Sequence, residues 1–302
     1  MSHQFGYCCI NFTLGKQKIT TGRTMRQASF RQDVGLIRTS MFALANAQDL
    51  NKILQWNAAN NMNLFRIGSN IFPWNSLYNL TDLPDYDKII HELQQAGGFI
   101  QKHNMRVSSH PDHFVKLAST KPDVVKRSIS DLNHHDDVFT LMGLPATHYY
   151  PINIHVGMNF SKEVVDKFCE SFHMLNLSTQ KRLVVENDDK ANSFSINQLY
   201  NHIYKTINTP ITFDYFHHSF HQDGYSEEKA AKLAASTWDC TPLFHYSESK
   251  NINENLKGNP RAHADYVYIP FNNYKLSIDV DLEAKAKELA LLKYKNINKN
   301  VL

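Results

Sequence analysis

Cysteine is scarce and poorly placed for cross-linking: Cys8, Cys9, Cys169 and Cys240 are the only four in 302 residues, with no CxxC spacing among them. That excludes a disulfide framework and a thiolate zinc knuckle. The apolar runs around them favour reduced, buried thiols in a reducing, intracellular compartment. Glycine is sparse as well, at 11 residues, and none builds a G-x-G-x-x-G turn or a P-loop, so no nucleotide cofactor is expected. Without a G-x-S-x-G elbow or a protease-type cysteine signature, covalent nucleophilic catalysis has no candidate. The opening MSHQFGYCCINF lacks a basic leader followed by an apolar stretch. No run reaches the ~18 apolar residues of a membrane span, so the sequence predicts a soluble, unsecreted protein with no membrane partner. Charge of one sign is lacking too: the formal net charge is +3, and any surface for nucleic acid has to be local.

What is present alternates. Runs of strand length fall at Phe5–Phe12, Leu64–Ile67, Arg106–Ser109, Ile152–His155, Leu183–Glu186, Ile211–Asp214, Pro242–Tyr246 and Leu276–Leu282. Helix-period segments separate them, marked by Leu50, Ile53 and Leu54, then Ile89, Ile90, Leu93 and Ile100. Val124, Val125, Ile129 and Leu132 mark the next, and Val164, Val165, Phe168 and Phe172 the one after. N-caps are expected at Thr120, Ser161, Ser195 and Ser226. Strands alternating with helices imply a parallel sheet with crossover helices, and eight strands favour closure. The expected fold is α/β, a single (β/α)8 TIM barrel over residues 1–302, monomeric, with long loops at the C-terminal rim. Those loops run from Gly68 to Pro84 and from Ser247 to Tyr274.

Histidine is abundant, at sixteen residues, and imidazole is the commonest neutral ligand for transition metals. One histidine beside a strand is ordinarily structural. Here, successive strand-like runs end in His110, His155, Glu186, Asp214 with His217, His245 and Glu283. A parallel barrel brings the carboxyl ends of its strands to one rim, where residues distant in sequence meet. Each such group costs free energy to bury unless it is paired or coordinated, so the recurrence points to a multi-metal centre. Imidazole and carboxylate without thiolate suit Mn2+, Zn2+ or Fe2+. His134-His135-Asp136-Asp137 also has the look of a ligand cluster, but it lies in a helix-period stretch away from strand ends and reads as a solvated helix face. Several ions on one rim suit hydrolysis of a phosphate ester.

The segments GYCCIN, LNKILQWNAANNMNLFRIGSNIFPW, SSHP, HVG, LVVEND, TFDYFHH, HYSES, HADY and DVDLEAKAKELALL follow one another almost end to end. Together they resemble the UV damage endonucleases, relatives of the apurinic endonucleases among the xylose-isomerase-like barrels. The resemblance implies a DNA repair enzyme for damaged double-stranded DNA, working in the DNA-containing compartment. It would cut the phosphodiester 5′ to ultraviolet photoproducts, cyclobutane dimers and 6-4 photoproducts, leaving a 3′-hydroxyl. It also implies a cluster of two or three divalent ions, Mn2+ ahead of Zn2+ or Mg2+. By the same resemblance their ligands are His110, His155, Glu186, Asp214, His217, His245, His263 and Glu283. Glu186, His245 and Glu283 then form the catalytic group, with Glu186 bridging. Tyr7 and Asn11 match the Tyr and Asn that approach DNA around the lesion, and His113 and Phe114 occupy the lesion-probing segment.

Two positions depart from the family pattern. The probing segment His-Pro-Gly-Gln-Tyr stands here as His110-Pro111-Asp112-His113-Phe114, so stacking survives while the amide and phenol hydrogen bonds are lost. Two residues before His245, Leu243 replaces a lysine that the family commonly has near the metals. Phe72, Trp74 and Tyr78 in the long loop, and Tyr149-Tyr150, offer aromatic surfaces on the rim, either for bases or for packing under a lid. Arg23, Arg26, Arg31 and Arg38, with Lys116, Lys121, Lys126 and Arg127, offer contacts to phosphates. The alternative is a metal-dependent apurinic/apyrimidinic-site endonuclease with altered lesion preference, which the lost Gln-Tyr pair favours. A sugar isomerase would need a site open to a small polyol, and a non-catalytic damage binder would not need this set of ligands.

Overall fold

Eight parallel strands organise the structure, a computed structural model that describes residues 3–30, 34–254 and 257–298. They are β1 Phe5–Cys8, β2 Leu64–Ile67, β3 Arg106–Ser109, β4 Ile152–His155, β5 Leu183–Glu186, β6 Ile211–Thr212, β7 Leu243–Tyr246 and β8 Asp279–Leu282. They pair in the order β6-β5-β4-β3-β2-β1-β8-β7. Between β6 and β7 the contact narrows to one bridge, Asp214 with His245, where the His245 N–H donates to the Phe213 carbonyl at 3.0 Å. The result is a nearly closed barrel. Nearly every strand residue is buried, as both faces of a parallel barrel are covered.

Four strands have the limits expected from sequence, and the other four are shorter. Residues 9–12 leave the sheet because the Asn11 side chain accepts from the Leu14 N–H and starts the helix Phe12–Gly15. Ser161, Ser195 and Ser226 each accept from the N–H three residues on, as N-caps do. Thr120 does not: Lys121 holds the cap position, and Pro122 opens the helix. Leu50, Ile53, Leu54, Ile89, Leu93, Ile100, Leu132 and Phe168 turn the apolar stripes of the helices Gly35–Ala59, Tyr86–Lys102, Pro122–Leu141 and Lys162–Phe172 into the core. The four cysteines are unpaired; Cys8 and Cys169 are buried, whereas Cys9 and Cys240 are half-buried, against the expectation that all would be covered.

Two further expectations are corrected. Tyr149-Tyr150 do not lie on the rim, because they enter β4 rather than leave a strand and so pack at the amino end of the barrel. There the Tyr149 carbonyl accepts from Arg106, whose guanidinium also donates to Asp279 at 2.9 Å and to the Thr241 carbonyl. The His134–Asp137 stretch is not a solvated face: His134, His135 and Asp136 are buried, and only Asp137 is exposed. His134 packs edge-on against Phe72, while His135 and Asp136 meet polar partners. His135 Nδ1 lies 2.5 Å from Ser109 Oγ, and Asp136 receives Arg182 Nε at 2.6 Å. Arg182 further donates to the carbonyls of Leu144 and Pro145. Buried charge persists here because it is paired and its hydrogen bonds are used.

Candidate metal centre

Six successive strand ends converge on the carboxylate of Glu186, the last residue of β5 and fully buried. Its Oε2 lies 3.2 Å from His110 Nε2, just past β3, and 3.7 Å from His155 Nε2 at the end of β4. Oε1 lies 3.1 Å from His245 Nδ1 on β7 and 3.5 Å from His217 Nδ1. His217 sits in the first turn of the helix Tyr215–Phe220, which Asp214 caps by accepting the His217 N–H. Three sets of side chains are close enough to hold an ion: His110, His155 and Glu186; Glu186, Asp214 and His217; Glu186, His245 and Glu283. Glu186 is common to all three.

His263 comes from the long loop before β8, not from a strand end. Its Nδ1 is 3.0 Å from the Glu283 carbonyl and 3.8 Å from Glu283 Oε2, so it borders the third set without completing it. A bridge between Ser249 and His263 and the Glu248 carboxylate, which accepts the N–H groups of Tyr268 and Ile269, shape that loop.

The electrostatics follow from crowding charge in a dry place. Burial works against ionised Glu186, but the imidazoles of His245, His155 and His110 outweigh it and hold the carboxyl well below its usual range. Burial likewise disfavours protonated His217, yet Asp214, Glu186 and Glu283 overcome it and push the imidazole up to about 10. His110 is lowered by burial, and Asp214 is raised by burial. The site therefore attracts cations. Donors fit a metal in a second way: Glu186 Oε1, Asp214 Oδ2 and His245 Nδ1 are buried with no aligned hydrogen-bond partner. Close approach without alignment is what ligand atoms directed at a common ion show, and the set of imidazoles and carboxylates suits Mn2+, Zn2+ or Fe2+.

Sequence reading missed several members. Asp188 Oδ1 lies 3.5 Å from His155 Nδ1, and Asn187 exchanges hydrogen bonds with both the N–H and the carbonyl of Asp214. Asn153 donates to Glu186 Oε2. Arg66 on β2 reaches Asp281, Glu283 and His245. The segment LVVEND held the signal for Asn187 and Asp188, since both directly follow a strand-end ligand.

The DNA-facing candidates divide. Phe114 is 73% exposed, with the His113 ring 4.0 Å away, on the loop that leaves His110. Tyr7 and Asn11 are buried instead: Tyr7 Oη donates to Asn57 at 2.6 Å and accepts from Asn11 at 2.9 Å. In this conformation they set the path of the first rim loop and do not meet solvent. Phe72 is buried, and Trp74 and Tyr78 are tied by hydrogen bonds to Met25 and Pro73, which favours packing for this trio. Arg23 is committed to Asp49 at 2.5 Å, whereas Arg26, Arg38, Lys121, Lys126 and Arg127 are exposed; Arg31 lies outside the described residues.

A (β/α)8 barrel with a histidine–carboxylate rim is the class that fold and site define. Residues 3–300 match the family model of UV-endonuclease UvdE, and the chain belongs to that family. It is 30% identical to the UV DNA damage endonuclease of Clostridium perfringens, over 99% of this chain and 72% of the relative. It is 30% identical to the UV-damage endonuclease of Schizosaccharomyces pombe, over 95% of this chain but only 49% of that protein. The crystal structure of SacUVDE superposes with a TM-score of 0.85 at 31% identity, covering 99% of each chain. Endonuclease IV of Thermus thermophilus shares the fold, with a TM-score of 0.57 at 12% identity over 83% of this chain and 95% of that one. Family membership implies DNA repair endonuclease activity. No helix among the described residues is long and apolar enough to cross a membrane.

Proposed function

We propose that this chain cuts damaged duplex DNA by metal-assisted hydrolysis of the phosphodiester 5′ to ultraviolet photoproducts, with two or three divalent ions, Mn2+ foremost, at the strand-end centre. The observation that carries the reading is Glu186: one buried carboxylate shared by three candidate ion positions, with its Oε1 lacking an aligned partner. His110, His155, Asp214, His217, His245 and Glu283 complete those positions, with His263 at their border. Divalent ions held there supply Lewis acidity toward a phosphodiester. The protein groups do the rest. Asn153 holds one oxygen of Glu186, Asn187 fixes the backbone of Asp214, and Asp188 orients His155. Phe114 stands free to enter the gap of a distorted base step, which costs least at a lesion whose stacking is already weakened. Exposed Lys121, Lys126 and Arg127 flank that loop and suit backbone phosphates.

Glu186→Gln tests this reading, since it keeps shape and removes the shared charge. The expected result is loss of both Mn2+ uptake in equilibrium dialysis and DNA nicking, with unchanged circular dichroism. Mn2+ uptake equal to the parent's would contradict it. A second reading, cleavage at abasic sites, is favoured by His113-Phe114: an imidazole and a phenyl ring recognise a gap by stacking and not by the hydrogen bonds of an amide and a phenol.

A further inference from the structure

β1 and β2 bring no candidate ligand to the centre, yet β2 sends the one cation that, among the described residues, contacts the candidate ligands. Arg66 is buried inside the barrel, its Cα paired with Cys8 on β1 and Ser108 on β3. Its guanidinium crosses in front of β1 to reach β7 and β8. Nε donates to Asp281 Oδ2 at 3.2 Å, Nη1 lies 2.6 Å from Glu283 Oε1, and Nη2 lies 2.8 Å from His245 Nε2. Asp281 in turn accepts from Ser108 Oγ at 3.2 Å. Gly6 on β1 lets Leu64 and the Asp281 carboxylate come close: a Cβ there would stand 2.5 Å from Leu64 Cγ, 2.6 Å from Asp281 Oδ1 and 2.8 Å from the Leu64 carbonyl.

A planar fork with fixed donors constrains partners in a way a point charge does not. Nη1 fixes which oxygen of Glu283 turns inward, and Nη2, which can only donate, fixes the plane of the His245 ring with Nε2 as acceptor and the ring proton on Nδ1 toward Glu186, a proton that an ion at Nδ1 would displace. Those residues, with Glu186, form the third candidate ion set, whereas the first two sets have no contact with Arg66. We infer that Arg66 is a positioning residue that sets the rotamers of His245 and Glu283 and thereby builds the ion position they share with Glu186. The inference rests on the proposed metal-dependent function.

Charge and geometry predict opposite results when Arg66 is changed, which makes the role testable. As a mere counter-charge, its removal would strengthen binding of a divalent ion to the freed carboxylates. As a positioning residue, its removal weakens the third position although a repelling cation has gone. The experiment uses the full chain, with Arg66→Lys, Arg66→Met and, to avoid a lone buried carboxylate, Arg66→Met combined with Asp281→Asn. Mn2+ titration by equilibrium dialysis is expected to show one class of sites weakened at least tenfold in all three, with the remaining class unchanged. Tighter binding in the methionine variants, or parental binding in Arg66→Lys, overturns the inference. A readout without metal separates its failure from that of the proposed function: in chelator, the His245 ring resonances are expected to be sharp in the parent and exchange-broadened in the variants. Identical His245 line shapes refute positioning whether or not the parent takes up Mn2+, while broadening confined to the variants, beside a parent that binds no ion, refutes only the metal-dependent reading.

Discussion

Replacing His134 by leucine is expected to flatten the acid limb of the stability curve. His134 is 9% exposed, packed edge-on against Phe72 with ring centroids 5.5 Å apart, and burial pushes its imidazole down to about 3, with His135 adding a smaller push. The unfolded chain binds a proton at its ordinary value of 6.5, and the native protein does not until about pH 3. Stability is therefore complete above pH 6.5 and lost as pH falls through that window. At ~1.4 kcal/mol per pH unit, acidification from pH 6.5 to 4.5 withdraws about 3 kcal/mol through this one residue. His135, lowered to about 4 by burial, acts in the same direction. Asp131, raised to about 6 by burial, acts in the opposite one, since the native state holds its proton longer. These neighbours are common to parent and variant, so the difference between the two curves isolates His134. Urea denaturation in chelator at pH 7 and pH 4.5 measures it: His134→Leu should lose about 3 kcal/mol less than the parent over that interval. Parallel losses would refute the reasoning and return this helix edge to solvent.

Three further outcomes are expected. Arg182→Met leaves Asp136 buried without its cation, a loss on the order of 3–5 kcal/mol that urea denaturation at pH 7 reads directly. Phe114→Ala should weaken binding to a damaged duplex by roughly 1–3 kcal/mol with no change in Tm, because the ring is exposed and supports no core; unchanged affinity contradicts its part in recognition. Leu243→Lys places an ammonium on β7 two residues below His245 and opposite Asp279, where it should alter the Mn2+ dependence of nicking; identical kinetics at every metal concentration would show that the family's lysine has no counterpart role here.

The fold was legible because it is written in short local patterns. A strand such as LVVE is apolar on both faces and ends in a polar residue, so its limit and its rim residue read off together. The convergence of the candidate ligands was legible for the same reason, as position at a strand end decides which rim a residue reaches. Arg66 was not, because a charge inside a strand reads as an anomaly until closure shows Asp281 and Glu283 waiting across β1. His134 and His135 were misread because periodicity assigns polar residues to the solvent side, while here Ser109 meets the buried edge of the helix. Tyr149 and Tyr150 were misplaced by treating loops at both ends of a strand as one surface. His263 was reached only through family resemblance, as its place depends on the long loop before β8 and not on local pattern.

The most direct test of the central claim is incision of a duplex carrying one defined cyclobutane dimer, beside matched undamaged and abasic duplexes, with Mn2+ and with chelator. The account predicts Mn2+-dependent incision immediately 5′ of the dimer, abolished by chelator and by Glu186→Gln. Cleavage of the abasic duplex alone, or incision of the dimer that persists in chelator, would contradict it.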